Sequence, residues 1–261
     1  IEQFQLRWFD RWLKGVQNGV DKEPPVRIYV MGGGDGHKTP EGRIFVGGHW
    51  RDENEWPLKR TRPTAYYLRE NGLLAASKPA AAAKPVTYAF DPRRPVPTIG
   101  GNISSQGALM FAGAADQRCR AGFWLCEDTL PLSARNDVLV FQTPPLAADL
   151  EVTGRLIVKL WASSNAPDTD FTAKLIDVWP PSRDFPAGFD MNLADSIVRA
   201  RYHGDFRAKA ELLVPGKPYE FTIEMYPTSM LVKRGHRIRL DISSSNFPRF
   251  DVNPNTGEPE G

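Results

Sequence analysis

The chain has 261 residues, 41 % apolar and 25 % charged, the balance of an ordinary folded protein and enough for one large domain or two smaller ones. Lys+Arg 33 against Asp+Glu 31 leaves a net charge of +2, which excludes a strongly basic nucleic-acid binder and an acidic tail. No apolar run nears the ~20 residues that span a bilayer, so neither nucleic acid nor membrane is an expected partner.

Ile1–Asp10 is amphipathic, not a basic-then-apolar leader, and the missing initial Met is read as a sign of a processed product or a fragment. Pro 23 and Gly 22 supply many turns and favour β structure over a helical bundle.

The first element is a helix. Phe4, Trp8, Phe9, Trp12 and Leu13 fall on one face of a 3.6-residue period, and Gly15 fits its C-cap. So many large apolar side chains on one short helix need a large partner surface. Val26–Met31 is a strand between Pro24-Pro25 and Gly32-Gly33-Gly34. Gly32–Gly48 is a Gly-rich excursion, Trp50–Trp56 a polar stretch, Thr64–Leu68 a short strand, and Ala75–Lys84 a low-complexity surface loop. Val86–Phe90 reads as another strand, followed by a Pro-stiffened passage. From Asp137 the pattern is almost wholly β: apolar residues alternate along Leu156–Trp161, Phe171–Ile176, Tyr219–Met225 and Arg237–Ile242. The last two sets predict strands with one wet face. Such spacing indicates a sandwich or jelly roll.

Chemistry-bearing motifs are scarce. There is no G-x-S-x-G elbow, and Ser243-Ser244-Ser245 reads as a strand end followed by a turn. His37, His49, His203 and His236 show no metal-ligand spacing and no partner that would orient a general base; His236 reads as a turn residue. Gly32–Gly36 lacks the Lys-Ser/Thr ending of a phosphate loop and is expected to form a β-turn. Asp168 and Asp170 are expected to accept backbone N–H groups at a strand start, since a Ca²⁺ site would need six to eight oxygens. No metal or cofactor is expected. Cys119 and Cys126 are expected to form a disulfide, closing a small loop that constrains the unfolded chain by roughly 2.5 kcal/mol; the alternative is two reduced thiols in a cytosolic protein. The seven Trp are spread over helix, loop and strand, which reads as core and interface anchoring more than a sugar platform.

Several long segments carry a resemblance. LRWFDRWLKG (Leu6–Gly15), VRIYVMG (Val26–Gly32), WRDENEWPL (Trp50–Leu58), FDPRRPVPTIGG (Phe90–Gly101), ADQR (Ala115–Arg118), RNDVLVFQT (Arg135–Thr143), DTDFTAKLIDV (Asp168–Val178) and SSSNFPRFDVNPNTG (Ser243–Gly257) occur in order. Together they resemble the cocaine-esterase/NonD group of hydrolases, relatives of the X-Pro dipeptidyl-peptidases, glutaryl acylases and α-amino-acid ester hydrolases. The resemblance implies a mainly β fold: a jelly-roll, galactose-binding-like β-sandwich preceded by a helix and strand left over from an α/β-hydrolase domain. It implies a division into residues 1–58, the end of the catalytic domain, and residues 59–261, the sandwich. Gly32–Gly48 and Pro180–Leu193 are longer than in the shortest relatives, and both chain ends look cut.

The resemblance further implies a Ser-Asp-His triad lying before Ile1, so that no catalytic residue falls in this chain. The parent reaction is then acyl transfer from a small ester, amide or peptide substrate to water. The partner is the chain's own upstream hydrolase domain, on which the aromatic helix packs. The stretch after Gly100-Gly101, namely Asn102, Ile103, Ser104 and Ser105, is expected to reach the substrate pocket. Two other readings stand beside this one: a free-standing carbohydrate-binding sandwich, and a module for homo-oligomer contacts. The compartment is cytoplasmic, periplasmic or extracellular.

Overall fold

The computed structural model describes residues 2–79, 84–101, 113–123, 125–204, 207 and 209–259. The first element, α1 (Glu2–Lys14), ends where Gly15 turns to φ +72° and the Val16 amide donates back to the Asp10 carbonyl at 3.0 Å. Polar groups tie it to the next turn of the chain. Arg7 pairs with Glu23 and Arg11 with Asp21, while Asn18 Nδ2 donates to the Arg7 carbonyl at 2.7 Å. Its large apolar side chains stay in the open: Trp8 is 54 % and Trp12 55 % exposed, their rings 5.7 Å apart.

Among the described residues ten strands come after it. They are β1 (Val26–Gly32), β2 (Gly48–Glu53), β3 (Tyr67–Leu68), β4 (Leu74–Ala75), β5 (Leu139–Gln142), β6 (Leu150–Ala162), β7 (Asp170–Trp179), β8 (Phe189–Arg199), β9 (Tyr219–Val232) and β10 (Arg237–Ser243). Two four-stranded sheets, ordered β2-β1-β9-β6 and β5-β10-β7-β8, stack into a β-sandwich, with β3-β4 as a small side ribbon. The long alternating strands pair as expected: β6 runs antiparallel to β9, and β7 to both β8 and β10. Phe171, Ala173, Phe221, Ile223, Val232, Leu240 and Ile242 fill the space between the sheets. Phe171 and Phe221 meet there at 4.8 Å.

Hydrogen bonds link the two sides of the division expected after residue 58. The pairing corrects several expectations about individual segments. β1 and β2 form a hairpin, and β1 joins the sandwich by parallel pairing of Met31 with Met230 and Gly32 with Leu231. Trp50–Glu53 is strand, not a polar connection: Tyr29 pairs with Trp50, and Arg27 with Asp52. Gly32–Gly36 is one arm of a hairpin; Gly34 donates to the Val46 carbonyl at 2.7 Å and Gly36 to the Phe45 carbonyl at 3.2 Å. Val86–Phe90 joins no ladder, and Tyr88 is held instead by a 2.7 Å hydrogen bond with Ser244 Oγ. The connection after β7 ends at Gly188, because Phe189–Leu193 already belongs to β8.

The largest correction concerns β10. Alternation predicted one wet face, yet Arg239, Asp241 and Ser243 are as buried as Ile238, Leu240 and Ile242. The reason is a cover. Residues 91–101, 113–123 and 125–138 lie over the outer face of the β5-β10-β7-β8 sheet and carry a second apolar cluster of Val96, Ile99, Cys119, Phe123, Leu132 and Val138. Polar strand residues beneath the cover survive burial because they pair with one another.

Candidate functional site

The polar layer begins on β7 and β10. Thr172 Oγ1 and Ser243 Oγ lie 2.6 Å apart, Arg239 donates to Asp190 at 2.8 Å, and the same guanidinium faces Asp241. Burial pushes the Asp241 carboxyl up to about 6, against the pull of Arg239. Lys174 lies wholly inside; burial pushes its ammonium down to about 8, with Asp241 opposing and Arg249 and Arg239 reinforcing the shift. From the segment after β10, Asn246 Nδ2 donates to Asp195 at 2.8 Å, and Arg249 closes an ion pair with the same carboxylate.

Above this layer the chain passes through Ile99 and Gly101, leaves the described residues, and returns at Gly113 to Ala115. Asn102, Ile103, Ser104 and Ser105 therefore lie outside the described residues, as does Trp124. The two flanks touch. A methyl group on Gly100, at φ +78°, would sit 2.2 Å from the Ala115 Cβ, so only glycine fits here. Gly101 borders the Arg249 guanidinium. Arg249 also lines a cavity of about 370 Å³ with Asp170, Ile197, Arg199, Tyr202 and Phe250.

Cys119 and Cys126 are joined by a disulfide, with Cα atoms 5.6 Å apart, at the edge of the cover. Asp168 accepts the Arg201 backbone amide at 2.9 Å, the Arg201 Nε at 2.8 Å and Asn253 Nδ2 at 2.8 Å. Asp170 pairs with Arg199 and shares Asn253. The expected role as backbone acceptors thus holds for Asp168, whereas Asp170 is given over to side chains. Asn253 of the NPNTG run fastens that terminal passage to β7. Among the described residues, no group of three or more His, Cys, Asp or Glu is arranged to hold a metal.

His236 closes the turn before β10, as expected, its amide donating to the Lys233 carbonyl at 3.1 Å. It is buried, with Nδ1 2.9 Å from Asp177 Oδ1 and its ring 4.3 Å from that of Trp179. An orienting carboxylate therefore exists, missed because the two residues are far apart in sequence. The pair is buried where β7 nears its end and β10 begins. His37 meets Asp35 at 2.6 Å on the surface, and His203 packs on Tyr219. Ser243 ends β10, and Ser244 and Ser245 are spent on Tyr88 and the Val96 amide. Of the described Trp residues only Trp179 belongs to the core, whereas Trp8, Trp12, Trp50, Trp56 and Trp161 are exposed. Trp50 and Trp161 stand on the opposite edge strands β2 and β6, so they form no common platform.

These features define a class: a β-sandwich domain with a covered polar layer, joined to an amphipathic helix, and without an accessible nucleophile–base pair among the described residues. Residues 18–261 match the family described as the X-Pro dipeptidyl-peptidase C-terminal non-catalytic domain, and the chain belongs to that family. It is 37 % identical over 258 residues to the cocaine esterase of Rhodococcus sp. (strain MB1 Bresler), covering 96 % of this chain and 39 % of the esterase. An aminopeptidase from a marine sediment Thaumarchaeota archaeon superposes with a TM-score of 0.72 at 30 % identity, over 97 % of this chain and 38 % of that one. An α-amino acid ester hydrolase superposes with a TM-score of 0.71 at 27 % identity, over 97 % of this chain and 38 % of that one. The chain thus spans about two fifths of the length of these relatives. No described helix is long and apolar enough to cross a membrane.

Proposed function

We propose that this chain is the C-terminal part of a serine hydrolase that cleaves small esters or amides, with the Ser-Asp-His triad supplied by an α/β-hydrolase domain upstream. In this reading α1 belongs to the catalytic domain, whose core covers Phe4, Trp8, Phe9 and Trp12. The sandwich begins near β1, docks on that domain, and offers Asn102, Ile103, Ser104 and Ser105 to the substrate pocket. The carrying observation is the unmatched aromatic face of α1. Among the described residues, the helix with its large side chains exposed is tied to the following turn by two ion pairs and the Asn18 hydrogen bond, and exposed apolar patches of this kind mark interaction sites. The names of the relatives support the reaction class.

The test compares this chain with the full-length protein on p-nitrophenyl esters. The full-length protein is expected to hydrolyse them and to be labelled by a fluorophosphonate serine probe, while residues 1–261 alone do neither. Turnover with a labelled serine in this chain alone overturns the reading. Ile103→Asp in the full-length protein tests the pocket wall: an unchanged kcat/KM across acetyl, butyryl and benzoyl esters rejects that role.

A further inference from the structure

The cavity of about 370 Å³ lies at the end of the β7–β8 ladder, where Asp170 pairs with Arg199, and its volume falls in the range of small-molecule sites. β8 contributes Ile197, the turn after β8 contributes Tyr202, and the passage after β10 contributes Arg249, Phe250 and Asp251. That passage is fixed in place. The Arg249 amide donates to Thr98 Oγ1 at 3.3 Å, the Phe250 amide to the Asn246 carbonyl at 3.1 Å, and Asn253 is fastened to Asp168 and Asp170. The walls are therefore formed before any ligand arrives.

The polar groups along these walls differ in what they have left to give. Asp170 is spent, accepting Arg199 Nε at 3.0 Å and Asn253 Nδ2 at 2.9 Å. Arg249 is only half spent. Its Nη1 pairs with Asp195 and its guanidinium lies 5.2 Å from the Phe250 ring centre. Its Nε and Nη2 make no hydrogen bond among the described residues, although the side chain is only 10 % exposed. Those two nitrogens form the edge of a guanidinium whose parallel N–H bonds match a carboxylate. Leaving them dry is costly, and burial pulls the pKa of Arg249 below the ordinary arginine value. The Tyr202 hydroxyl, also without a partner among the described residues, is a second donor. Ile197, Phe250 and the Tyr202 ring are half-buried and supply apolar surface, whereas Asp251 is exposed to water, which screens its charge.

We propose that this cavity binds a small organic carboxylate with a flat apolar body, its carboxylate on the Nε–Nη2 edge of Arg249 and its body against Ile197, Tyr202 and Phe250. An amine of the same shape finds no free acceptor at that edge, and a neutral amide lacks the charge that makes the pairing strong. Binding here does not require the hydrolase reading. A carboxylate in this position ties β8, the turn after it and the passage after β10 together, so by mass action it raises the thermal midpoint with its concentration.

The experiment titrates the full-length protein with benzoate, benzamide and benzylamine in a calorimeter. Benzoate is expected to bind, and the amide and the amine at least about tenfold more weakly, the scale of a charge-assisted hydrogen bond. Ile197→Trp fills the cavity while keeping every ion pair, and is expected to remove benzoate binding. Arg249→Gln with Asp195→Asn takes away both charges together, so that neither is stranded, and is expected to weaken benzoate by about tenfold or more. Asp251→Asn is expected to tighten it slightly, with the gain disappearing in high salt. Where one of the first two variants does not fold, the other decides. Benzoate binding unchanged in Ile197→Trp or in the double variant overturns the inference, the benzoate then sitting elsewhere in the protein. So does a benzylamine that binds more tightly than benzoate, or a parent protein with no benzoate affinity below about 10 mM.

Discussion

The two faces of the β5-β10-β7-β8 sheet are equally dry and differently built. The inner face meets the other sheet with Ala173, Leu240 and Ile242, residues whose burial is favourable one by one. The outer face meets its cover with Thr172, Lys174, Arg239, Asp241 and Ser243, which are tolerated only as a network. Apolar packing supplies most of the stability and little directional information. The polar layer contributes little net stability, because paired charges roughly offset their own desolvation, but each bond fixes a direction. A cover that must hold a loop's ends in register over a sheet is served by the second kind of contact.

This contrast can be broken at four points. The largest effect belongs to the packing against the inner face: Phe221→Ala, at a fully buried site on β9 of the facing sheet and against Phe171 of β7, is expected to lower unfolding free energy by about 3–5 kcal/mol. Urea titration reads it, and a loss below about 1 kcal/mol by that measure would mean that the sandwich core is not the main source of stability. Next is the cover. Cys119→Ser with Cys126→Ser opens the loop between residues 119 and 126 and is expected to cost about 2.5 kcal/mol, with the thermal midpoint falling and the far-ultraviolet β signal retained.

Third is the pH response of the polar layer. Burial lowers Lys174 from 10.5 to about 8, so the unfolded chain binds more protons than the fold between those values. Stability from this residue therefore rises with pH over that window, by at most about 1.4 kcal/mol per unit. Asp241, raised to about 6, acts lower down, where stability falls as pH climbs from 3.8 towards 6. Lys174→Met should flatten the rise above about pH 8 relative to the parent protein. Parallel curves would show that Lys174 is not the titrating group. The smallest effect lies outside both faces. The Arg155–Glu224 pair on the exposed side of β6 and β9 should show a coupling within about 0.5 kcal/mol in a double-mutant cycle, because water screens it.

Sequence patterning carried the fold far. The alternation of Tyr219–Met225 and Leu156–Trp161 identified β9 and β6, since one face of that sheet meets water and the other meets the core. The same alternation in Arg237–Ile242 gave the strand and misjudged its environment. Periodicity registers side-chain polarity, and a polar face covered by a polar network has the same pattern as a solvated one. Gln117 lay within the ADQR motif, but nothing local distinguishes a glutamine that bridges Ile99 and Ala115 from one on the surface. Asp177 and His236 were hidden for a related reason: 59 residues separate partners that adjacent strands bring together. The exposed aromatics of α1 were legible from the start, because a 3.6-residue stripe of that size implies a covering surface whether or not one is present.

The contact between Gly100 and Ala115 has a practical side. Where two ends of a connection already meet, the length of chain between them hardly affects closure, each doubling adding only about 0.6 kcal/mol. Segments of different size and composition can be exchanged at this junction without asking the sheets to move. Cassettes inserted between these two residues should therefore leave the rest of the scaffold unchanged.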